Sequence, residues 1–561
     1  MRYGMSLKSK FFNTILSLGI SLSAAANANQ AEMLRDLDII HNTFLTRYAP
    51  REWKEQHCDW DAALQFELAT QKITASPAIS AVDFQSTIKT YLKSLKDYHV
   101  GCKLTSTENA YLPFEVRSSG GRYFVTKVNP RLIDTKIFKI NVGDEVISFN
   151  GIPIAEIGED IRSKIDRGNY DTDVALADRL ITDRGRMVGL DTPKGLLDVA
   201  LIDKTTQLPK TYHMIWHEYP ELYTFHYNKP REKKSHKLSH PMFVAADWIT
   251  RPRADEEDED KMSDLPRLGK VIWKNDKDNI FQAYIFETEE GERVGFLRIG
   301  TFMPESIFDE DNCENEMGEL KEIIARFEES TQKLVLDTTN NGGGSVFYMY
   351  GILSLFAKEP LKLPTERINM EAGLIGEFRQ SLRYVEHVRC EESAKHYFND
   401  IIDVVEPSYQ YLEMYRAFAR AVIAEWESGA TLSSALPFYG FERINPNSEA
   451  VYTKPILLLV DERDFSCADF FPAVMQDNGR AVLMGNRTAG AGGAVFRRKL
   501  YSDSGVSFFT YTWTLGERSA SGLPIENLGI TPDVMYKHTP GDLQNGFAEY
   551  KAAILNQLKS L

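Results

Sequence analysis

The stretch "KPILLLVDERDFSCADFFPAVMQDNGR", Lys454 to Arg480, decides how the chain is read. Its first seven residues are an apolar run of strand length, suited to a strand buried on both faces. Apolar residues then recur at Cys467, Phe470, Phe471, Val474 and Met475, the spacing of one helix face. Ser466 falls on the turn between the two. A serine there is commonly an N-cap. The same position suits a nucleophile, because a helix N-terminus favours negative charge and the Cys467 N–H would point at an oxyanion formed on a substrate. Cys467 itself reads as a small packing residue, and Asp469 as a partner of the helix dipole.

A second turn of the same kind follows another buried run. "KLVLDTTNNGGGS" ends in Gly342, Gly343, Gly344 and Ser345, and "VFYMYGILSLFAKE" behind it reads as a helix. Three successive glycines permit close backbone approach and unusual dihedrals. Their N–H groups lie just before a helix, where oriented donors favour an anion. One donor from Gly343 or Gly344 and one from Cys467 would make an oxyanion hole. Read alone, the glycines are a flexible turn.

Outward from these turns, strands and helices alternate. "RVGFLRIGTF" reads as a strand, "CENEMGELKEIIARFEES" as an amphipathic helix and "RAVLMG" as a short strand. The pattern argues for an α/β layered domain over 291–561, with a mostly helical insertion at 361–452. "FDEDNCENE", Phe308 to Glu316, is acidic but lacks a calcium-loop spacing and reads as a solvated loop.

The first half differs. "MRYGMSLKSKFF", an apolar "TILSLGISLSAAA" and "ANA" have the form of an export signal, cleaved after about Ala28. Residues 29–110 read as a helical region, with Met33, Leu34, Leu37, Ile40, Phe44 and Leu45 on one face. Over 111–215, "YLPFEVRSSGGRYFVTKV" reads as strand, turn, strand. "INVGDEVISFNGIPI" then resembles the second half of a PDZ domain. "YLPF" stands where a glycine-rich carboxylate-binding loop would be, which counts against capture of free C-termini by strand addition. Residues 216–290 are a linker containing the acidic "RPRADEEDEDKMSDLPR" at 251–267.

The chain has 561 residues, 43% of them hydrophobic, and a formal net charge of −15. It can therefore bury large cores. Its acidity argues against nucleic acid or an anionic membrane surface as partner. After the N-terminal segment no apolar run is long enough to span a membrane, so the mature chain is expected to be soluble. Five scattered cysteines, with no CxxC, form neither a disulfide framework nor a zinc pattern. No P-loop, dinucleotide fingerprint or GxSxG is present, and no cofactor or metal is expected.

Together, "DTTNNGGG" and "FSCADFFPAVMQDNGRAVLMGNRTAG" resemble the C-terminal-processing (tail-specific) serine peptidase family. Ser466 stands eleven residues before Asp477 of "QDNGR", the family's nucleophile position. The general-base lysine of the family's Ser–Lys branch would fall fourteen residues after Asp477. Ala491 is there instead, and Lys499 lies eight further on. A second branch, resembling tricorn-type peptidases, uses Ser–His–Glu. Its phrases match "LKDYHVG", giving His99, and "LPIENLGITPD", giving Glu526. That resemblance implies a ClpP/crotonase-like catalytic domain, Ser466 as nucleophile, His99 as base and Glu526 as its orienting acid. The chemistry needs such a trio, because serine is a weak nucleophile until imidazole takes its proton.

"DFSCADFFP", "DYHVG" and "PIENLG" look closest to one secreted member of that branch. This implies an exported or secreted endopeptidase (periplasmic as the alternative) acting on protein or peptide substrates. It also implies a homodimer made as a self-processed precursor, with an inhibitory segment between its halves. Three other readings remain open: a non-catalytic peptide-binding protein on the same fold, a Ser–Lys peptidase using Lys499, and an esterase with the same chemistry.

Overall fold

The computed structural model describes residues 30–220 and 263–561, apart from Pro77, Thr105, Thr107, Thr135, Asp264, 276–280, 304–309, 400–407 and Asp503. The expected cleavage near Ala28, and residues 251–262 of the acidic stretch, lie outside the described residues. The apolar runs of the second half become the centre of a seven-stranded sheet. Its order is Lys270–Lys274, Ala283–Glu287, Arg293–Arg298, Lys333–Asp337, Ile456–Val460, Val482–Gly485, Val534–Met535. The first two of its six joins are antiparallel, and the other four are parallel. Ile456–Val460 is buried at every position, as a strand covered on both faces must be.

This sheet fixes where the two turns lie. Lys333–Asp337 and Ile456–Val460 are adjacent and parallel, paired from Leu334–Ile456 to Asp337–Leu459. Their C-terminal ends therefore deliver the glycine turn and the Ser466 turn side by side, where open α/β sheets place their sites. The helices Val346–Ser354 and Cys467–Asp477 lead away from those turns.

The N-terminal region is helical over 30–46, Arg51–His57, Ala62–Thr74 and Ala81–Ser94. Met33, Leu37, Ile40 and Phe44 of the expected apolar face are fully buried, with Leu34 and Leu45 at its margin. These helices share one continuous core with the catalytic half. The join is also made by backbone, since Cys102–Leu104 pairs antiparallel with Val506–Thr512, which pairs with Val495–Lys499.

The PDZ-like region has its own core, including Phe114, Val125, Val146, Phe149, Ile161, Ile181 and Val199. Phe114–Ser119, Arg122–Val128, Glu145–Phe149, Leu196–Ile202 and Pro209–Ile215 follow one another across its sheet. Asn150 and Gly151, both at positive φ (50° and 77°), make the Asn-Gly turn into Ile152–Pro153. Between 361 and 452 the chain forms the helices Ala372–Val385, Glu391–Asn399 and Tyr409–Glu427, flanked by short strands such as Thr365–Ile368 and Arg443–Ile444. One expectation is corrected. From Glu310 onward the acidic stretch is the beginning of the helix Glu310–Ser330, not a loop, because the apolar period of that helix extends back into it. No group of residues suited to holding a metal ion occurs among the described residues.

Candidate active site

Ser466 has φ 57° and ψ −120°, far from the extended conformation of an ordinary N-cap. A non-glycine residue held there carries local strain on the order of 1–3 kcal/mol, found where the surroundings over-determine the backbone. Those surroundings are visible. The Ser466 N–H donates to Asp469 Oδ2 (3.0 Å). The same buried carboxylate accepts from Ala491 N–H (2.9 Å), Gly490 N–H (2.8 Å) and Thr488 Oγ1 (2.5 Å). Asp469 is thus a clamp between the serine turn and the 488–491 loop, more than the dipole partner expected of it. Burial still pushes its carboxyl up to about 6, against the pull of those donors.

The glycine turn lies directly against the serine. A Cβ added to Gly343 would stand 2.7 Å from Ser466 Cβ and 3.0 Å from the Cys467 nitrogen. Only glycine permits that approach, and φ of 88° independently requires it. The Gly343 N–H donates to Asn341 Oδ1 (2.8 Å), so of the two expected glycine donors it is already engaged. Neither the Gly344 N–H nor the Cys467 N–H meets an acceptor among the described residues. The buried Cys467 thiol donates to the Gly344 carbonyl (3.3 Å), and burial pushes it up to about 12. A thiol so rarely ionised is not a nucleophile.

His99 follows the helix Ala81–Ser94, just before the strand Cys102–Leu104. Its neighbour Tyr98 packs edge-on against Phe465, the residue before Ser466, with ring centroids 5.5 Å apart. Its carbonyl accepts from Thr510 Oγ1 (2.6 Å) and its N–H donates to Asp97 Oδ1 (2.7 Å). The ring is buried at 2% exposure, and neither ring nitrogen has a partner among the described residues. Burial lowers its proton affinity, Asp97 raises it and Lys54 lowers it, leaving it below the ordinary histidine value.

Glu526 is fully buried. Its carboxylate accepts from Gly492 N–H (3.0 Å) and forms an ion pair with Lys54, itself fully buried. It makes no hydrogen bond to the His99 ring in this structure. Burial and then Asp97 raise its proton affinity well above the usual carboxylate range, while Lys54 and Gly492 pull it back. Burial also pushes Asp97 up, but Lys54, His99 and hydrogen bonds from Tyr48 and Thr512 together hold it below the usual range. Lys54 went unseen in the sequence, where "REWKEQH" carries the charge pattern of a solvated helix. Asp97 lay in full view inside the "LKDYHVG" phrase. Lys499 is exposed, and Ala491 serves Asp469 through its backbone.

Comparison with known proteins identifies the family. Residues 293–536 match the model of peptidase family S41, and residues 108–226 match a PDZ domain. An uncharacterized protein of Chlamydia muridarum is 32% identical over 554 residues, covering 92% of this chain and 90% of its own. The crystal structure of mature CPAF, the chlamydial protease-like activity factor, superposes with a TM-score of 0.82 at 29% identity. It covers 94% of this chain and 97% of its own. The structure of mature CPAF complexed with lactacystin matches equally, with a TM-score of 0.82 at 29% identity over 95% of this chain and 98% of its own. With the glycine turn set against a strained serine at the ends of adjacent parallel strands, the chain belongs to peptidase family S41 and is a serine-type peptidase carrying a PDZ domain.

Proposed function

We propose that the protein is an endopeptidase working through Ser466, His99 and Glu526. The observation that carries the reading is His99, a buried imidazole held by its backbone next to Tyr98, which packs on Phe465 before Ser466, with both ring nitrogens open among the described residues. A buried polar group is ordinarily paired, so two open nitrogens suit a group whose partners arrive with catalysis. His99 takes the Ser466 hydroxyl proton as Oγ attacks the scissile carbonyl. The Cys467 and Gly344 N–H groups receive the oxyanion. The intermediate collapses, His99 returns the proton to the leaving amine, and water then hydrolyses the acyl-enzyme by the same steps. Glu526 stabilises the imidazolium formed on the way. The depressed proton affinity of His99 keeps it a free base at neutral pH.

We further propose a precursor that cleaves itself within the linker, in the part of 216–290 that precedes the sheet strand Lys270–Lys274. Ser263, at the linker's described end, donates to Asp337 Oδ2 (2.5 Å). Asp337 also pairs with Arg298 (3.2 Å) at the root of the glycine turn, so linker and site are mechanically joined. Export through the N-terminal segment and assembly as a homodimer complete the reading. The test incubates wild type and Ser466→Ala separately with casein and follows intact masses. Wild type is expected to nick itself within the linker and degrade casein, and the variant to do neither. If both degrade casein alike, the reading fails.

A further inference from the structure

Next to the imidazole and the glutamate lie two further buried charged groups, Lys54 and Asp97. Lys54, on the helix Arg51–His57, has no exposure and directs its ammonium at three acceptors. These are Glu526, Asn527 Oδ1 (2.7 Å) and the Lys96 carbonyl (2.9 Å). An ammonium has three donors, so all are satisfied, and Lys54 has no lone pair to offer as a base. Asn527 is fixed in turn, donating to the Lys96 carbonyl (2.7 Å) and accepting from Trp53 Nε1 (3.2 Å). This is a built charge site, placed behind Glu526.

Two fully buried carboxylates, Asp97 and Glu526, share this pocket with one ammonium. Two like charges in a low-dielectric site cannot both stay ionised without compensation. Asp97 is the better solvated of the two, accepting from Tyr48 OH (2.8 Å), Thr512 Oγ1 (2.8 Å) and the His99 N–H (2.7 Å). Apart from Lys54, Glu526 accepts only from the Gly492 N–H (3.0 Å) among the described residues. Without the ammonium, Glu526 is therefore the carboxylate that takes up a proton. With both carboxylates ionised, the set Lys54, Asp97 and Glu526 carries one net negative charge, which protonation of His99 neutralises.

We propose that Lys54 is a positioning residue of the proteolytic site, whose ammonium keeps the Glu526 carboxylate charged and fixed for the His99 ring. The inference rests on Glu526 acting as the orienting acid. The titratable and charged groups facing the cluster are Tyr48 and Cys58 from the flanking helical region, Lys96, Asp97 and His99 from the loop after Ala81–Ser94, Arg167 from the PDZ-like region, whose guanidinium acts on Asp97, and Glu526 from its own turn. Of these, Glu526 and His99 set the acid limb of activity, since both must be unprotonated at the start of the reaction.

The experiment measures the rate at which a fluorophosphonate modifies Ser466 in the full chain, by intact mass, from pH 5 to 9. Lys54→Met is expected to slow modification on the order of 10- to 100-fold at pH 7, less than the ~10⁴-fold loss when an orienting acid is removed outright. Its acid limb should move upward by at least about one pH unit, so that rate returns as pH rises. Lys54→Arg retains the charge and should keep the limb in place even if the rate falls. Asp97→Asn, which leaves an amide that the Tyr48 and Thr512 hydroxyls can still engage, should move the limb downward. It should also restore the limb in the Lys54→Met background. An acid limb that stays put in both Lys54→Met and Asp97→Asn overturns the inference. If Lys54→Met does not fold, Asp97→Asn alone decides. Glu526→Gln separates the two readings. Full activity in that variant defeats the triad, whereas its loss alongside an unmoved limb in the other variants defeats only the role of Lys54.

Discussion

Replacing Gly343 by alanine tests the contact on which the catalytic geometry depends. The new Cβ would stand 2.6 Å from the Phe465 carbonyl oxygen, 2.7 Å from Ser466 Cβ and 3.0 Å from the Cys467 nitrogen. Ordinary contact begins near 3.4 Å, so a displacement of about 0.5–1 Å is forced. Neither side is free to give way. The Phe465 N–H is bonded to the Asn341 carbonyl (2.9 Å), the Gly343 carbonyl accepts from Phe302 N–H (2.9 Å), and Asp469 clamps Ser466. Holding alanine at φ 88° costs about 1–2 kcal/mol, and overpacking adds about 1–3 kcal/mol. A shift of that size at a nucleophile lowers turnover on the order of 100-fold. Gly479→Ala is the matched control, with φ 61° and nothing within 4 Å, so it suffers the backbone cost alone. The assay compares denaturant midpoints and rates of Ser466 modification in the two variants. Gly343→Ala is expected to lose about 2–5 kcal/mol and most reactivity, and Gly479→Ala about 1 kcal/mol and none. Equal stability and wild-type reactivity in both would refute the argument.

Three further outcomes are expected. Lys499→Ala should leave casein turnover within about two-fold of wild type, because the side chain is exposed and no step uses it; abolished turnover would favour the Ser–Lys alternative. His99→Ala should reduce turnover by a factor on the order of 10⁴ while leaving the fold intact by circular dichroism. His538, half-buried beside Arg117 of the PDZ domain, is pushed down to about 3, by desolvation first and then by Arg117. Its folded proton affinity lies below the unfolded one, so the stability it contributes is full above about pH 6.5 and lost as pH falls toward 3. His538→Asn should flatten the pH dependence of the unfolding midpoint in that window by up to about 1.4 kcal/mol per pH unit; an unchanged slope would place the acid sensitivity elsewhere.

Much of this was legible in the sequence, for identifiable reasons. "KLVLD" and "KPILLLV" are apolar runs because a parallel strand covered on both faces has no polar side to show. The glycine and serine turns were readable because few sequences satisfy such backbone demands at once. Lys54 was invisible. Its helix of seven residues presents Arg51, Glu52, Lys54 and Glu55 as a solvated face would, and only packing against Glu526, 472 residues away, buries one of them. The helical N-terminal region read as a unit of its own for a related reason. An apolar stripe of Met33, Leu37, Ile40 and Phe44 looks the same whatever covers it, and here it joins the core of the catalytic half. Asp469 was under-read because its four donors come from the serine turn and from a loop some twenty residues on, which no local pattern announces.

The most direct test of the central claim is to treat the full chain with a fluorophosphonate, digest it, and locate the adduct by mass spectrometry in wild type and His99→Ala. One adduct is expected, on Ser466, formed quickly in wild type and nearly absent without the imidazole. An adduct on another serine, or equal modification of Ser466 in both proteins, would contradict it.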